Sequence, residues 1–334
     1  MKKIPPIRAM ISCITISEFS TLDYVAMPTI DLQTSAFSAK YRLWPFDSIN
    51  ATWEDILWAT ITVGRPNIHY VFQYGQPSLY EALFRISMIR MALEQARPSA
   101  AHTIRRTGAF KGLDPTEKGA VNYFLGMVFC KVFASKRLDI PWLLHIDAFK
   151  SQLSAQFLSG RSRPDLVGKD VSGTAWGAFE AKGRASSPTT IDRSKAKTQA
   201  KRIVSVDGIR CAPLVASFTY FGGDTLKMIC DDPDGEDPGE NIRAGDEQWE
   251  VYYNPAFGLF EGLERTDGAA GSPLEELDLE IEIHPKILGL LRTGQWATAH
   301  AACVELRDAL QKEGFKPDGI KISTGRSWVE KLSI

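Results

Sequence analysis

The chain has 334 residues, of which 44% are hydrophobic and 24% are charged, and its formal net charge is −1. The length suits two or three domains, and the composition is ordinary for a soluble globular protein. The near-zero net charge excludes a general basic field, so any attraction of nucleic acid has to come from local charge.

The distribution of cysteine, histidine and apolar residues along the chain excludes several further classes of protein. The five cysteines are scattered and never form a C-x-x-C pair, which is typical of reduced thiols rather than of a disulfide framework or a zinc ribbon. The five histidines are isolated, so no soft-metal site is indicated. No cleavable signal is recognised, and no stretch approaches the roughly eighteen apolar residues of a membrane-spanning helix. The sequence predicts a cytoplasmic protein with no membrane partner.

The beginning of the chain is predicted to contain a β-hairpin and a helix. Residues 59–63 and 68–74 are rich in β-branched and aromatic residues and flank a Gly-Arg-Pro-Asn turn, which predicts the hairpin. Residues 78–97 have apolar residues at helical spacing. Ser78 is the predicted N-cap, and Glu81 follows three residues later as in a capping box.

A second, long helix is predicted over residues 115–135, because Asp114 is a favourable N-cap and Glu117 completes a capping box. Its interior is apolar nearly all round, so we expect this helix to be buried against a sheet. Three strands, a polar helix and a fourth strand are predicted next, at residues 142–149, 164–167, 173–181, 191–204 and 214–221. One further strand is predicted at either 226–230 or 249–253.

The end of the chain is predicted to be less regular. Residues 231–247 hold eight acidic residues against one arginine and predict a mobile surface loop. A helix is predicted at 296–312, ended by Gly314. All these elements predict an α/β fold with a central mixed sheet flanked by helices. The predicted regions are an N-terminal α/β accessory region, a core and a mostly helical C-terminal extension, at residues 1–108, 109–255 and 256–334.

Three ionisable residues on two of the predicted strands carry the chemical argument. Asp165 directly follows Pro164, and Glu180 and Lys182 are separated by one residue. Side chains two apart on a strand point the same way, so Glu180 and Lys182 share a face. If the strand of Asp165 pairs with theirs, the two carboxylates and the ammonium converge. Two carboxylates can hold Mg²⁺, which activates water for phosphodiester hydrolysis.

The motifs Pro164-Asp165 and Glu180-Ala181-Lys182, in the order helix, three strands, helix and strand, resemble the PD-(D/E)XK nuclease superfamily. The resemblance covers about residues 115–221 and implies a restriction-endonuclease-like core. It implies that Asp165 and Glu180 are metal ligands and that Lys182 is the catalytic lysine.

The same resemblance implies roles for two residues on the flanking helices. Glu117 matches an acidic residue that members often use as an additional metal ligand, although its place in the first helical turn is also explained by capping alone. Gln199 matches a glutamine that many members carry near the site, and a solvated helix residue is the alternative. One branch of the superfamily has a tyrosine four residues later, where this chain has Ile203.

A run of basic residues follows the motif. From residue 182 to residue 202 there are seven basic residues against one acid, which is unusual in a nearly neutral chain. We expect this run to track phosphates, whereas a solvated helix face is the alternative interpretation. Besides Lys182, the predicted nucleic-acid-binding residues are Arg184, Arg193, Lys195, Lys197, Lys201 and Arg202.

The sequence therefore predicts an Mg²⁺-dependent nuclease, with Mn²⁺ as an alternative ion and DNA favoured over RNA as substrate. The accessory regions suggest a restriction or anti-phage defence system and a protein partner such as a helicase or ATPase subunit, and they leave an oligomer open. A catalytically silent subunit that binds nucleic acid or assembles with a partner is one alternative. Glycoside hydrolysis by the two carboxylates is another, but it gives the lysine and the basic run no purpose.

Overall fold

A computed structural model of the chain describes residues 27–65, 76–96, 102–159, 163–233, 235, 239–264 and 273–328. In these ranges the protein has a mixed α/β fold, with a central sheet of parallel and antiparallel strands flanked by helices. The main path of the sheet has the spatial order β2 (Phe46–Asn50), β1 (Thr29–Ser35), β10 (Thr225–Asp231), β9 (Ile209–Gly222), β7 (Trp176–Arg184), β6 (Leu166–Lys169) and β5 (Trp142–His145). Shorter strands join this sheet off its main path: β3 (Leu93–Gln95), β4 (Ile104–Arg106), β8 (Ile203–Val206) and β11 (Glu240–Ile242).

The helices and a second small sheet complete the described fold. The helices are α1 (Trp53–Thr62), α2 (Gln76–Ala92), α3 (Gly108–Gly112), α4 (Pro115–Leu138), α5 (Ala155–Ser159), α6 (Thr190–Ala200), α7 (Asp246–Glu264), α8 (Pro273–Glu276), α9 (Pro285–Arg292), α10 (Trp296–Glu305) and α11 (Arg307–Lys312). The second sheet is an antiparallel pair of β12 (Leu279–Ile283) and β13 (Ile320–Thr324). No helix among the described residues is both long enough and apolar enough to cross a membrane.

Helix α4 forms the centre of the core, as its apolar sequence predicts. Asp114 accepts hydrogen bonds from the second and third helical amides, and Glu117 accepts one from the Asp114 amide at 3.0 Å. This capping box, predicted from the sequence, is confirmed. The helix lies directly on β7, because a Cβ atom on Gly183 would sit 1.5 Å from the carbonyl oxygen of Asn122. A side chain at Gly183 would therefore force α4 away from the sheet.

The elements α4, β5, β6, β7, α6 and β9 follow one another in the predicted order, with β8 as an additional short strand. Strands β5, β6 and β7 are antiparallel neighbours. Strand β9 then pairs with β7 in parallel, and α6 provides the crossover between them. The helices α4 and α6 contact both strands. The Cβ direction at Gly183 points to α4, so the side chains of Glu180 and Lys182 point to the α6 side of the sheet.

Two segments interpreted as possible strands are helices in the structure. The prediction of a strand at 59–63 was wrong, whereas of the alternatives 226–230 and 249–253 the first is a strand, β10. Residues 59–63 fall largely in α1, which Thr52 caps and in which nearly every side chain is buried. Residues 249–253 lie in α7, whose buried Trp249, Tyr252 and Ala256 follow helical spacing. Complete burial, rather than strand structure, explains the β-like composition of these segments. The other half of the predicted hairpin, residues 68–74, lies outside the described residues.

The predicted ends of several elements also change. Helix α2 begins at Gln76, so Ser78 lies inside it, and Glu81 pairs with Arg65 and Arg85 rather than completing a capping box. Strand β5 stops at His145 and continues as a 3-10 turn, Ile146–Gln152. The polar helix ends at Ala200, and the next residues form β8.

The terminal regions contribute more sheet than the sequence indicated. Strands β1 and β2, from the region predicted as accessory, extend the central sheet through a parallel pairing of β1 with β10. The C-terminal extension is not only helical, because it includes β12 and β13. The predicted helix at 296–312 breaks at Leu306 into α10 and α11, and Gly314 follows with a φ of +80°.

The acidic segment is more ordered than a mobile loop in its described parts. Asp231 ends β10 and is completely buried. Residues Glu240–Ile242 pair in parallel with β8. The prediction of a mobile surface loop was therefore wrong for these residues. Asp231 pairs with the Arg193 side chain of α6, and residues 240–242 join the sheet.

Candidate catalytic site

Asp165 and Glu180 meet where β6 begins beside β7. Leu166 pairs with Phe179, and the Asp165 amide donates to the Phe179 carbonyl at 3.0 Å. Two residues further along β7, the Asp165 carboxylate replaces a backbone carbonyl as acceptor, because Oδ2 accepts from the Ala181 amide at 2.9 Å. The pairing of the two strands, on which the argument from the sequence depends, is present. It fixes the Asp165 carboxylate beside Glu180.

Glu180 is a completely buried acid that has little compensation from the protein. Its side chain is 0% exposed and forms an ion pair with Lys182. Among the described residues, neither of its carboxylate oxygens has a hydrogen-bond donor of good geometry. Burial and the neighbouring Asp165 carboxylate raise the pKa of Glu180 to about 8. Such an environment favours either a proton or a cation on this carboxyl group.

Lys182 is the cation that the site already contains. Its side chain is 38% exposed, so the ammonium reaches solvent while it contacts Glu180. Desolvation opposes the charge, but Glu180 and Asp165 together raise the pKa of Lys182 above its ordinary value. Lys182 therefore remains protonated near neutral pH, and it can contact an anion or orient a water molecule without acting as a general base.

Gln199 contacts the segment that leads into the site. Its Nε2 donates to the carbonyl of Arg163 at 3.4 Å, two residues before Asp165. The Arg163 guanidinium in turn pairs with Asp147 at 2.9 Å. These contacts tie α6 and the 3-10 turn to the strand that carries Asp165. The prediction that Gln199 lies near the site agrees with this contact, and the contact suggests that the residue positions Asp165.

Glu117 lies in the capping box of α4 and is exposed. The part of α4 that touches β7 begins at Asn122, about 7 Å further along the helix axis. Among the described residues, no group of three or more His, Cys, Asp or Glu side chains is arranged to hold a metal ion. The observed contacts of Glu117 thus explain it as a cap, and its predicted metal role remains a prediction.

The predicted phosphate-tracking run is only partly available to a ligand. Arg193 binds the buried Asp231 with two nitrogens, of which Nε lies at 2.9 Å, and Lys197 lies 3.7 Å from the same carboxylate. Arg184 pairs with Asp192 at 3.0 Å. These three basic residues therefore have acidic partners within the protein, and the prediction that the run tracks phosphates stays a prediction. The remaining predicted residues are the exposed Lys195, the half-buried Lys201, and Arg202, whose guanidinium lies over the Phe157 ring at 5.7 Å.

Sequence reasoning missed Tyr123 and assigned no role to Arg163. Tyr123 lies on α4 with 48% of its side chain exposed. Burial of its hydroxyl and the charge of Asp165 raise the pKa of Tyr123, and Lys182 acts on the same hydroxyl. The sequence signal that could have identified Tyr123 is its position as a tyrosine in a helix that is apolar nearly all round. The basic residue two positions before Asp165 was the signal for Arg163.

Comparison with known proteins identifies no relative of this chain. No protein-family model matches the chain, no curated protein is similar to it, and no solved structure matches it. A functional assignment therefore depends on the site itself, since fold alone does not determine activity.

Proposed function

We propose that the chain is a Mg²⁺-dependent nuclease that hydrolyses phosphodiester bonds, with a restriction-endonuclease-like core of the PD-(D/E)XK type. The observation that carries this proposal is the meeting of Asp165 and Glu180 at the ends of paired strands, with Lys182 in contact with Glu180. The order of helix, three strands, helix and strand around them supports the same assignment.

The residues present fit a hard divalent cation. Glu180 is buried, and its carboxylate oxygens lack aligned hydrogen-bond donors among the described residues, so a divalent cation would add to the compensation that Lys182 provides. In proteins, Mg²⁺ is commonly held by one or two carboxylates together with water and substrate phosphate. Asp165 and Glu180 would therefore be sufficient ligands. Mn²⁺ takes the same oxygen ligands.

Asp165, Glu180 and Lys182 would have different roles around that cation. A cation bound there supplies a more acidic water and a counter-charge for phosphate. Asp165 is held in place by the Ala181 amide, which donates to its Oδ2. Lys182, as a protonated ammonium, stabilises the charge that develops on the phosphate oxygens. Glu180, whose pKa is raised to about 8, would hold the cation in its deprotonated form.

DNA is the favoured substrate, and the basic residues best placed to contact its backbone are Lys195 on α6 and Lys201, which follows the last residue of α6. The setting in restriction or anti-phage defence, and a helicase or ATPase partner, belong to the same proposal and depend on the resemblance to the superfamily. A silent nucleic-acid-binding subunit is the second candidate. The observation that favours it is that the described residues provide two acids at the site rather than three.

Substrate and metal dependence test the proposal together. The full chain is incubated with linear, circular and single-stranded DNA and with RNA, in Mg²⁺ or in EDTA, and the products are separated by electrophoresis. We expect cleavage of DNA in Mg²⁺ and none in EDTA, because the carboxylates act through the cation. Cleavage that persists in EDTA contradicts the proposed metal dependence. Binding of DNA without cleavage in either Mg²⁺ or Mn²⁺ favours the silent subunit.

A further inference from the structure

Four aromatic side chains from two helices form a surface beside the candidate site, which we call the aromatic patch. Tyr80 and Phe84 lie one turn apart on α2, and Tyr123 and Phe124 are neighbours on α4. The Phe84 and Phe124 ring centroids are 6.4 Å apart, and those of Tyr123 and Phe124 are 5.5 Å apart. These edge-to-face contacts join the two helices into one aromatic surface.

The aromatic patch is unusually exposed for side chains of this size. Tyr80 is 60% exposed, Phe84 is 59% exposed and Tyr123 is 48% exposed. Large aromatic side chains normally contribute their area to a core or an interface. A group of them left in water generally marks a binding surface.

The aromatic patch adjoins the strand that carries Glu180 and Lys182. Tyr123 directly follows Asn122, whose carbonyl oxygen lies against Gly183, the residue after Lys182. In agreement with this position, and besides the effect of burial, the charge of Asp165 raises the pKa of Tyr123 and that of Lys182 lowers it. The Arg85 guanidinium lies over the Phe124 ring at 4.8 Å and pairs with Glu81. Glu180 and Lys182 point to the α6 side of β7, so a strand bound at the site reaches the aromatic patch by passing the edge of β7, where the pairing with β6 ends at Phe179.

We infer that the aromatic patch stacks against unpaired bases of the nucleic acid whose backbone enters the candidate site. The substrate is then single-stranded, or frayed next to the cleaved bond, because a closed duplex keeps its base faces stacked on one another. This inference rests on the proposed nuclease function. Stacking on aromatic side chains is tolerant of sequence, since every base has a π face.

Binding without cleavage tests this inference directly. Fluorescence anisotropy in EDTA measures the affinity of the full chain for a labelled single-stranded oligonucleotide, for the same oligonucleotide with abasic positions, and for a blunt duplex. We expect the single strand with bases to bind most tightly. Phe84→Ala should weaken its binding by about tenfold, and the double variant Tyr80→Ala/Phe84→Ala should weaken it further. Neither variant should change the affinity for the abasic strand.

Conservative variants separate stacking from other uses of the patch. Phe84→Trp should retain the affinity, whereas Phe84→Leu should lose it, because leucine keeps an apolar surface but has no π face. Trp44→Ala is the matched control, since Trp44 is 72% exposed and lies between β1 and β2. This control should leave binding unchanged.

Several results would overturn the inference. Equal affinity of the wild type for the normal and abasic strands, or wild-type affinity in the double variant, excludes base stacking. Retention of affinity by Phe84→Leu, or a dimer that Phe84→Ala dissociates, assigns the patch to protein contacts instead. Cleavage of DNA with normal binding by all variants would refute this inference alone. Loss of binding in the variants without any Mg²⁺-dependent cleavage would refute the nuclease function alone.

Discussion

Replacing Lys182 by methionine is expected to reduce Mg²⁺-dependent cleavage by about 10²–10⁴-fold, which is the range for loss of one group that acts on the transition state. The physical reason is that Lys182 is the only protonated group that the structure brings into contact with Glu180 within the described residues. Methionine preserves most of the length of the side chain and removes its charge. Initial cleavage rates at saturating Mg²⁺, measured for both proteins on the preferred substrate, provide the comparison.

The matched control is Lys286→Met, because Lys286 is an exposed residue in the first turn of α9. It should cleave at the wild-type rate. The Lys182 variant should keep a cooperative unfolding transition, since Glu180 can hold its own proton when the ammonium is absent. A Lys182→Met protein that cleaves as fast as the wild type would remove the lysine from the proposed site.

Replacing Lys131 by methionine is expected to lower the free energy of unfolding by about 3–5 kcal/mol, the usual result of breaking one side of a buried ion pair. The pair here is formed with Asp318 through the bridging Tyr252 hydroxyl rather than by direct contact. Lys131 is completely buried in the middle of α4 and donates to the Thr62 carbonyl at 3.0 Å and to the Tyr252 hydroxyl at 2.9 Å. Tyr252 in turn donates to the buried Asp318 at 2.7 Å, and so does the Trp58 indole at 2.8 Å. Without the lysine, Asp318 is left as an uncompensated buried acid.

Burial disfavours the charged forms of both Lys131 and Asp318, and the attraction between their opposite charges offsets this cost. The pKa directions of the two groups agree with this balance. Burial lowers the pKa of Lys131 to about 7, and burial raises the pKa of Asp318. The network joins α1, α4 and α7 to the segment before β13, so its loss loosens the C-terminal region from the core. Urea denaturation of the wild type and the variant at one near-neutral pH measures the effect.

A double variant separates the ion pair from simple packing. Lys131→Met/Asp318→Leu should recover a large part of the lost stability, because no buried charge remains. Lys286→Met serves again as the control and should change stability by less than about 0.5 kcal/mol. If Lys131→Met costs less than about 1 kcal/mol, the network is not a buried ion pair and the argument from Asp318 is wrong.

Local signals were sufficient to predict the elements that position the site. Helix α4 has its capping residues and its apolar interior in adjacent sequence, and both are present in the structure. Strand β7 alternates Phe179 and Ala181 with Glu180 and Lys182, which predicted the shared face of the two charged residues. These features depend on residues within a few positions of one another, so a single sequence contains them.

The remaining features depend on partners that are distant in sequence. Arg193 and Asp231 are 38 residues apart, and only the register of β10 and the packing of α6 bring them together. Helix α1 is buried almost all round, so its apolar residues showed no clear period, and the aromatic content of both α1 and α7 indicated strands. The position of Tyr123 beside Asp165 required the tertiary structure.

Direct measurement of Mn²⁺ binding tests the central claim that the carboxylates of β6 and β7 hold one hard cation. Electron paramagnetic resonance reports free Mn²⁺ during titration of the full chain, and Mg²⁺ competes for the same site. We expect one site in the wild type and in Lys182→Met, and strongly weakened binding in Asp165→Asn and Glu180→Gln, because each amide removes a charged ligand. Equal Mn²⁺ binding by the wild type and by the Asp165→Asn/Glu180→Gln double variant would contradict the account.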